Sequence, residues 1–124
     1  MHSNNIMHRD LKPENIMCDG ELGKDLTIKL TDFGFATMFR SGEKQNLALG
    51  TPSFMAPELI RCKAYDQRVD VWSLGCIVYI LLSGRYPFDA QEQDEVERQI
   101  LRGKPDLTST KWLKVSPNAK DFIR

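Results

Sequence analysis

The sequence contains little cysteine, and its cysteines are not spaced like a disulfide framework or a zinc site. Cys18, Cys62 and Cys76 are odd in number, and no two of them have CxxC spacing. The pattern therefore predicts free, buried thiols in a reducing compartment.

The sequence also lacks net charge, an apolar leader and a long hydrophobic run. Lysine plus arginine and aspartate plus glutamate each number 17, so the basic excess typical of nucleic-acid binders is missing. The first ten residues contain no signal-peptide core, which makes the cytoplasm the expected location, with the nucleus as an alternative. The longest apolar run, residues 71–82, is shorter than the roughly 17–25 residues of a membrane span. We expect no nucleic-acid or membrane partner, and we predict that this run is a helix buried on nearly all sides.

The 124 residues fit one domain with its strands near the front. Pro13 disfavours a helix through the polar loop of residues 8–15. Two glycines within residues 19–25 predict a turn between two short strands. Apolar and polar residues alternate over residues 26–33, which predicts a half-buried strand there. No clear periodicity follows from residue 35 to residue 57.

Helical signals dominate the rest of the chain. Residues 57–63 fit a short helix with Pro57 at its first position. Asp70 is a candidate N-cap for the apolar helix, and Gly84 is its predicted end.

Two further helices are predicted near the end of the sequence. Residues 91–103 read as an amphipathic surface helix with Gly103 as its stop signal, and Ser116 is the predicted cap of the next helix, with Pro117 in its first turn. The apolar face of the first of these helices consists of Val96, Ile100 and Leu101. The order of elements is therefore loop, small strands, irregular segment and helices.

Groups that suit phosphate chemistry lie in the polar loop of residues 8–15, which we call the front loop, and at the end of the predicted strand. Asp10, Asn15 and Asp32 offer oxygen ligands or proton acceptors, and oxygen ligands together with substrate phosphates are what Mg²⁺ prefers. Lys12 can place a positive charge against a phosphate. Each of these residues could also be a solvated polar side chain, and only their combination favours a site.

Several motifs resemble those of protein kinases, in the same order. They are HRDLKPEN at residues 8–15, DFG at 32–34, GTPSFMAPE at 50–58 and DVWSLGCIVYILLSGRYPFD at 70–89. The resemblance covers essentially all 124 residues. Lys12 and Thr51 resemble the serine/threonine branch, and the apolar helix with GRYPF resembles the calcium/calmodulin-dependent kinase group. The resemblance implies an α+β fold: the mainly helical C-terminal lobe of a kinase with a short β-hairpin, and no N-terminal lobe.

The resemblance implies phosphorylation of serine or threonine in protein substrates, with ATP and Mg²⁺ as cofactors. Asp10 would orient the substrate hydroxyl and accept its proton. Lys12 would stabilise charge on the transferring phosphate, and Thr51 would brace both residues. Asn15 and Asp32 would hold Mg²⁺. The nucleotide would contact Lys12, Asn15, Asp32 and Met17, the last forming the floor under the adenine.

Other positions have structural or substrate roles in the family. His8 and Phe33 of the DFG motif would stack, next to Gly34, and Asp70 would hydrogen-bond the backbone of the catalytic loop. Glu58 would pair with an arginine that lies beyond the printed sequence. Glu14 could pair with a basic residue of the substrate or simply face solvent.

The activation segment, defined here as residues 32–58, lacks a hydroxyl where kinases are usually phosphorylated. Arg9 typically meets that phosphate, but Leu47 stands at the position. Thr37, Ser41 and Ser53 are the nearest hydroxyls. We therefore hypothesise that phosphorylation of this segment is not the main switch.

The printed sequence contains no glycine-rich GxGxxG loop and no VAIK-type lysine. We therefore expect residues 1–124 to be a partial kinase domain that transfers phosphate poorly alone and needs an N-terminal lobe in cis. Two alternatives remain. One is a non-catalytic lobe that binds kinase substrates or regulators, and the other is an unrelated Mg²⁺-dependent phosphohydrolase that uses Asp10 and Asp32.

Overall fold

A computed structural model describes residues 1–21 and 23–124. The strands are β1 (Ile6–Met7), β2 (Ile16–Asp19), β3 (Thr27–Leu30) and β4 (Thr37–Met38), and the α-helices are α1 (Pro57–Ile60), α2 (Arg68–Ser83), α3 (Gln93–Arg102) and α4 (Pro117–Ile123). Short 3-10 turns cover His2–Asn4, Pro13–Asn15, Pro52–Phe54 and Thr110–Lys114. The fold is a mixed α/β domain with short two-stranded sheets.

The predicted hairpin near the front is present. Strands β2 and β3 pair antiparallel, from Ile16 opposite Leu30 to Asp19 opposite Thr27. The second strand is shorter than the predicted 26–33, since Asp32 has a positive φ of 56° that does not fit a strand. The predicted turn includes Leu22, which lies outside the described residues.

A second small sheet lies where no periodicity was detected. Strands β1 and β4 pair antiparallel, with Ile6 opposite Met38 and Met7 opposite Thr37. Two-residue strands are too short to leave a period in the sequence. This sheet places the start of the activation segment beside the chain that enters the front loop.

Helix α2 departs from the sequence prediction at its start and on its surface. It begins at Arg68 with Gln67 at the N-cap, so the prediction that Asp70 is the cap was wrong. Gly84 ends the helix as predicted, with a φ of 67°. The helix is not buried on nearly all sides, because Val71 and Leu81 are 53% and 76% exposed. An apolar run does not reveal how many of its faces other elements cover.

The predictions for the shorter helices hold in outline. Helix α1 begins at Pro57 but ends at Ile60 instead of residue 63. Helix α3 buries Ile100 completely and ends at Gly103, which has a φ of 62°. Helix α4 follows Ser116, whose Oγ accepts a hydrogen bond from the Ala119 amide at 3.2 Å.

The core anchors the front loop at two points. Met7 precedes the loop and packs in a buried cluster with Phe39 and Val69. Leu11 lies inside the loop and packs in a second cluster with Phe54 and Ile77. Apolar burial thus fixes the polar residues between and beside these anchors.

The three thiols are free, but they are not all buried. Cys76 is buried on α2, and burial raises the pKa of its thiol to about 12. Cys18 and Cys62 are exposed, so the prediction of buried thiols was wrong for both. Within the described residues, no helix is long and apolar enough to cross a membrane.

Candidate active site

The carboxylate of Asp10 is the centre of a closed polar network. Lys12 Nζ lies 2.8 Å from Asp10 Oδ2. Thr51 donates to Asp10 Oδ1 through both its backbone amide, at 2.9 Å, and its hydroxyl, at 2.8 Å. Lys12 Nζ also donates to Thr51 Oγ1 at 2.9 Å. The three residues hold one another, so the carboxylate has a fixed orientation.

This network keeps Asp10 ionised although its side chain is buried. Burial opposes the charged form, but hydrogen bonds from Lys12 and Thr51 and the charge of Lys12 outweigh it, so the pKa of Asp10 lies below its ordinary value. The hydrogen bond to Asp10 raises the pKa of Lys12. The result is a buried carboxylate beside a persistent cation.

Gly50 allows Thr51 to reach this position. Its φ is 118°, and a Cβ at this residue would lie 2.7 Å from the carbonyl oxygen of Arg9. Only a residue without a side chain fits such a close approach without strain. The activation segment therefore passes directly against the front loop.

Asn15 and Asp32 are brought together by the hairpin. Asn15 immediately precedes β2, and its carbonyl accepts the Thr31 amide at 3.0 Å just after β3. His8 adds a second tie, since its Nε2 donates to the Thr31 carbonyl at 3.0 Å and its Nδ1 accepts the Asp10 amide at 3.3 Å. Asp32, the next residue, is thereby held at the edge of the loop.

The donor atoms of this pair fit Mg²⁺. Within the described residues, the hydrogen bonds of the Asn15 carboxamide run through Nδ2 to the carbonyl and carboxylate of Asp10, at 2.9 and 3.4 Å. Its carbonyl oxygen is therefore oriented away from Asp10. Asp32 is exposed and offers carboxylate oxygen. One carboxylate, one carboxamide oxygen and phosphate oxygens form the kind of ligand set that Mg²⁺ takes.

The carboxylate of Asp70 holds the backbone at the start of the front loop. It accepts the backbone amides of His8 and Arg9, both at 2.8 Å. His2 Nε2 also lies 2.7 Å from Asp70 Oδ2. Asp70 is 2% exposed and lies in the first turn of α2. The rigid helix thus fixes the two residues that precede Asp10.

The whole chain matches one family of proteins. The model of the family described as "Protein kinase domain" matches residues 1–124. The chain belongs to this family. It is 48% identical over 124 residues to a probable myosin light chain kinase of Dictyostelium discoideum, across 100% of this chain and 35% of that protein. It is 46% identical over 123 residues to calcium-dependent protein kinase 28 of Oryza sativa subsp. japonica, across 99% of this chain and 23% of that protein.

These kinase relatives confirm the resemblance to serine/threonine kinases of the calcium/calmodulin-dependent group. A calcium-dependent protein kinase of Glycine max, SK5, is 47% identical over 99% of this chain and 24% of its own length. The chain thus spans about a third or less of the length of these relatives. Protein kinases in general transfer phosphate from ATP with Mg²⁺.

The remaining residues singled out in this kinase sequence lie around the network. The ring centroids of His8 and Phe33 are 5.0 Å apart in a tilted arrangement. Gly34 donates its amide to Asp32 Oδ1 at 3.3 Å. Met17 is 55% exposed on β2, on the same hairpin that positions Asn15. These residues are next to the proposed metal ligands.

Three other predicted residues lie outside the network. Glu14 is exposed to solvent. Glu58 lies on α1, where it and Arg68 both line a surface groove. Arg9 donates through Nε to the Phe35 carbonyl at 2.6 Å.

Sequence reasoning missed two residues that contact the site. His2 binds Asp70, and nothing in the polar opening segment pointed to that contact. Tyr65 binds Arg9 and is 2% exposed. It is a single aromatic residue in a polar stretch, which could have indicated a buried anchor.

Proposed function

We propose that this chain supplies the catalytic loop, the metal ligands and the activation segment for phosphorylation of serine or threonine in proteins. The observation that carries the proposal is the ionised, buried carboxylate of Asp10, held by Lys12 and Thr51. Phosphoryl transfer depends mainly on positioning and charge stabilisation. A carboxylate fixed beside a cation supplies both.

Each residue of the network has a role in this proposal. Asp10 orients the hydroxyl of the protein substrate and accepts its proton. Lys12 places its charge beside the phosphate being transferred, and Thr51 keeps the two side chains in register. The cation of Lys12 also keeps Asp10 deprotonated before the substrate arrives.

Asn15 and Asp32 hold Mg²⁺ in this proposal, and Met17 lies under the adenine of ATP. Bound ATP with Mg²⁺ supplies the phosphoryl group. The support for these roles is the juxtaposition of Asn15 and Asp32 at the hairpin and the oxygen ligands that they offer.

The chain corresponds, in this proposal, to the larger C-terminal lobe portion of a kinase domain, and it acts with an N-terminal lobe in cis. Exposed apolar side chains support this assignment, since Ile28 and Phe33 are 64% and 50% exposed and large exposed apolar groups commonly mark a surface that another part of a protein covers. Alone, the chain would transfer phosphate poorly or not at all. We propose a cytoplasmic location, with the nucleus as an alternative.

The proposal is tested by placing this chain into a relative. Residues 1–124 would replace the matching segment of the Dictyostelium kinase, and transfer of labelled phosphate to proteins would be measured. Myosin light chain is the first substrate to try, because that relative is named for it. We expect transfer by the chimera, and the 124-residue chain alone is measured beside it.

The Asp10→Asn variant tests the central role. We expect turnover to fall by about a hundredfold or more, since proton transfer by a positioned group contributes on that scale, while ATP binding is retained. Asp121→Asn on the exposed surface of α4 is the matched control. Normal turnover in Asp10→Asn would show that the role is wrong, and a folded native chimera without transfer would refute the proposed function.

A binding module is the second candidate, and one observation favours it. An apolar groove of about 310 Å³ is lined by Trp72, Phe88 and Phe122. If the folded chimera transferred no phosphate but the 124-residue chain bound myosin light chain in a calorimetric titration, this candidate would be preferred.

A further inference from the structure

Tyr65 holds the activation segment through its backbone. It lies in the loop between α1 and α2 and is 2% exposed. Its amide donates to the Gln45 carbonyl at 2.9 Å, and the Gln45 amide donates to its carbonyl at 2.8 Å. The two residues therefore form an isolated antiparallel bridge.

The hydroxyl of Tyr65 makes two further contacts. It donates to the carbonyl oxygen of Leu47 at 2.7 Å, and it accepts from Arg9 Nη1 at 3.3 Å. Arg9 Nε in turn donates to the Phe35 carbonyl. Arg9 thus contacts both ends of the segment between Phe35 and Leu47. It binds Phe35 directly and reaches Leu47 through the hydroxyl of Tyr65.

These contacts continue directly to the Asp10 network. Three residues after Leu47, Gly50 passes close to the carbonyl of Arg9, and Thr51 then donates twice to Asp10. Because Leu47 is held only four residues before Thr51, the backbone between them can move little. The Tyr65 hydroxyl bond therefore acts on the segment only four residues before Thr51.

The contact does not require a particular side chain at position 47. The acceptor is the backbone carbonyl, and the Leu47 side chain is 62% exposed. A phosphate is thus unnecessary for a link between this part of the segment and Arg9.

We propose that Tyr65 is a positioning residue for phosphoryl transfer: its hydroxyl ties the activation segment to Arg9 without a phosphate and so holds Thr51 against Asp10. The inference rests on the proposed function. The competing explanation is a tyrosine whose ring merely fills the core beside Met7 and Phe39. Replacing the hydroxyl alone separates the two explanations, because phenylalanine keeps the ring.

The chain contains a matched control. Tyr79 is also buried, and its hydroxyl donates to the Asp106 carbonyl at 2.8 Å, away from the network. Tyr79→Phe removes a hydrogen bond of the same kind. Thermal unfolding of both variants would check that each remains folded.

The first measurement is amide hydrogen exchange on the 124-residue chain. We expect Tyr65→Phe to speed exchange of the Gln45 and Thr51 amides by about tenfold, the effect of losing a buried hydrogen bond that keeps them closed. Tyr79→Phe should leave both amides unchanged. Equal exchange in the two variants would overturn the proposal.

The second measurement is turnover in the chimera. We expect Tyr65→Phe to lower kcat by about tenfold with the KM for ATP within about twofold of native, because Tyr65 acts on Thr51 and not on the nucleotide ligands. Tyr79→Phe should change neither value. Equal kcat in both variants would refute the proposal. A native chimera without activity would refute the proposed function, while hydrogen exchange would still decide the role of Tyr65.

Discussion

Replacing Asp70 with alanine would measure how far the front loop depends on one buried carboxylate. The variant leaves the backbone amides of His8 and Arg9 without the acceptor that each has at 2.8 Å. A buried donor left unpaired costs about 1–3 kcal/mol. Two such donors predict a loss of about 4 kcal/mol in the free energy of unfolding, which is a large part of the roughly 5–15 kcal/mol typical of a domain.

The assay is urea unfolding of the 124-residue chain, followed by circular dichroism. Asp70→Asn keeps one carbonyl oxygen and should lose about half as much as Asp70→Ala. Asp121→Ala, on the exposed surface of α4, should stay within about 0.5 kcal/mol of native. A loss below about 1 kcal/mol in Asp70→Ala would show that water or a rearranged loop satisfies the two amides, and the reasoning would fail.

Two further predictions concern ionisable groups. A thiol reagent should modify the exposed Cys18 and Cys62 quickly. It should modify Cys76 only after denaturation, because Cys76 is buried and its thiol pKa is raised to about 12. Fast modification of all three thiols in the folded chain would contradict this prediction. The lowered pKa of Asp10 stabilises the native chain above the ordinary value of 3.8, and this contribution disappears as pH falls through the lowered value. The difference in urea midpoint between native and Asp10→Asn should therefore stay constant well above pH 3.8 and shrink as the pH falls below that value. An unchanged difference below pH 3.8 would show that Asp10 has the same pKa when folded and unfolded.

Local signals predicted the elements whose causes are local. The hairpin follows from a glycine turn and from the period-two alternation after it. Helix α4 follows from Ser116, whose hydroxyl accepts the amide of Ala119 three residues later. Asp70 shows where such reasoning stops. A carboxylate in the first turn of a helix suggests a cap, but this one binds amides more than sixty residues away. The sequence near a residue cannot indicate a partner at that distance.

The same limit applies within the candidate site. Asp10 and Lys12 are only two residues apart, so their pairing could be predicted from the sequence. Thr51 entered only through the kinase resemblance, because its contact with Asp10 spans 41 residues. Tyr65, an aromatic residue in a polar stretch, could have been predicted as buried, but nothing in the sequence indicated its partners. Its hydroxyl binds the backbone carbonyl of residue 47, which every amino acid provides. The contact therefore constrains the path of the backbone without requiring any particular side chain at that position.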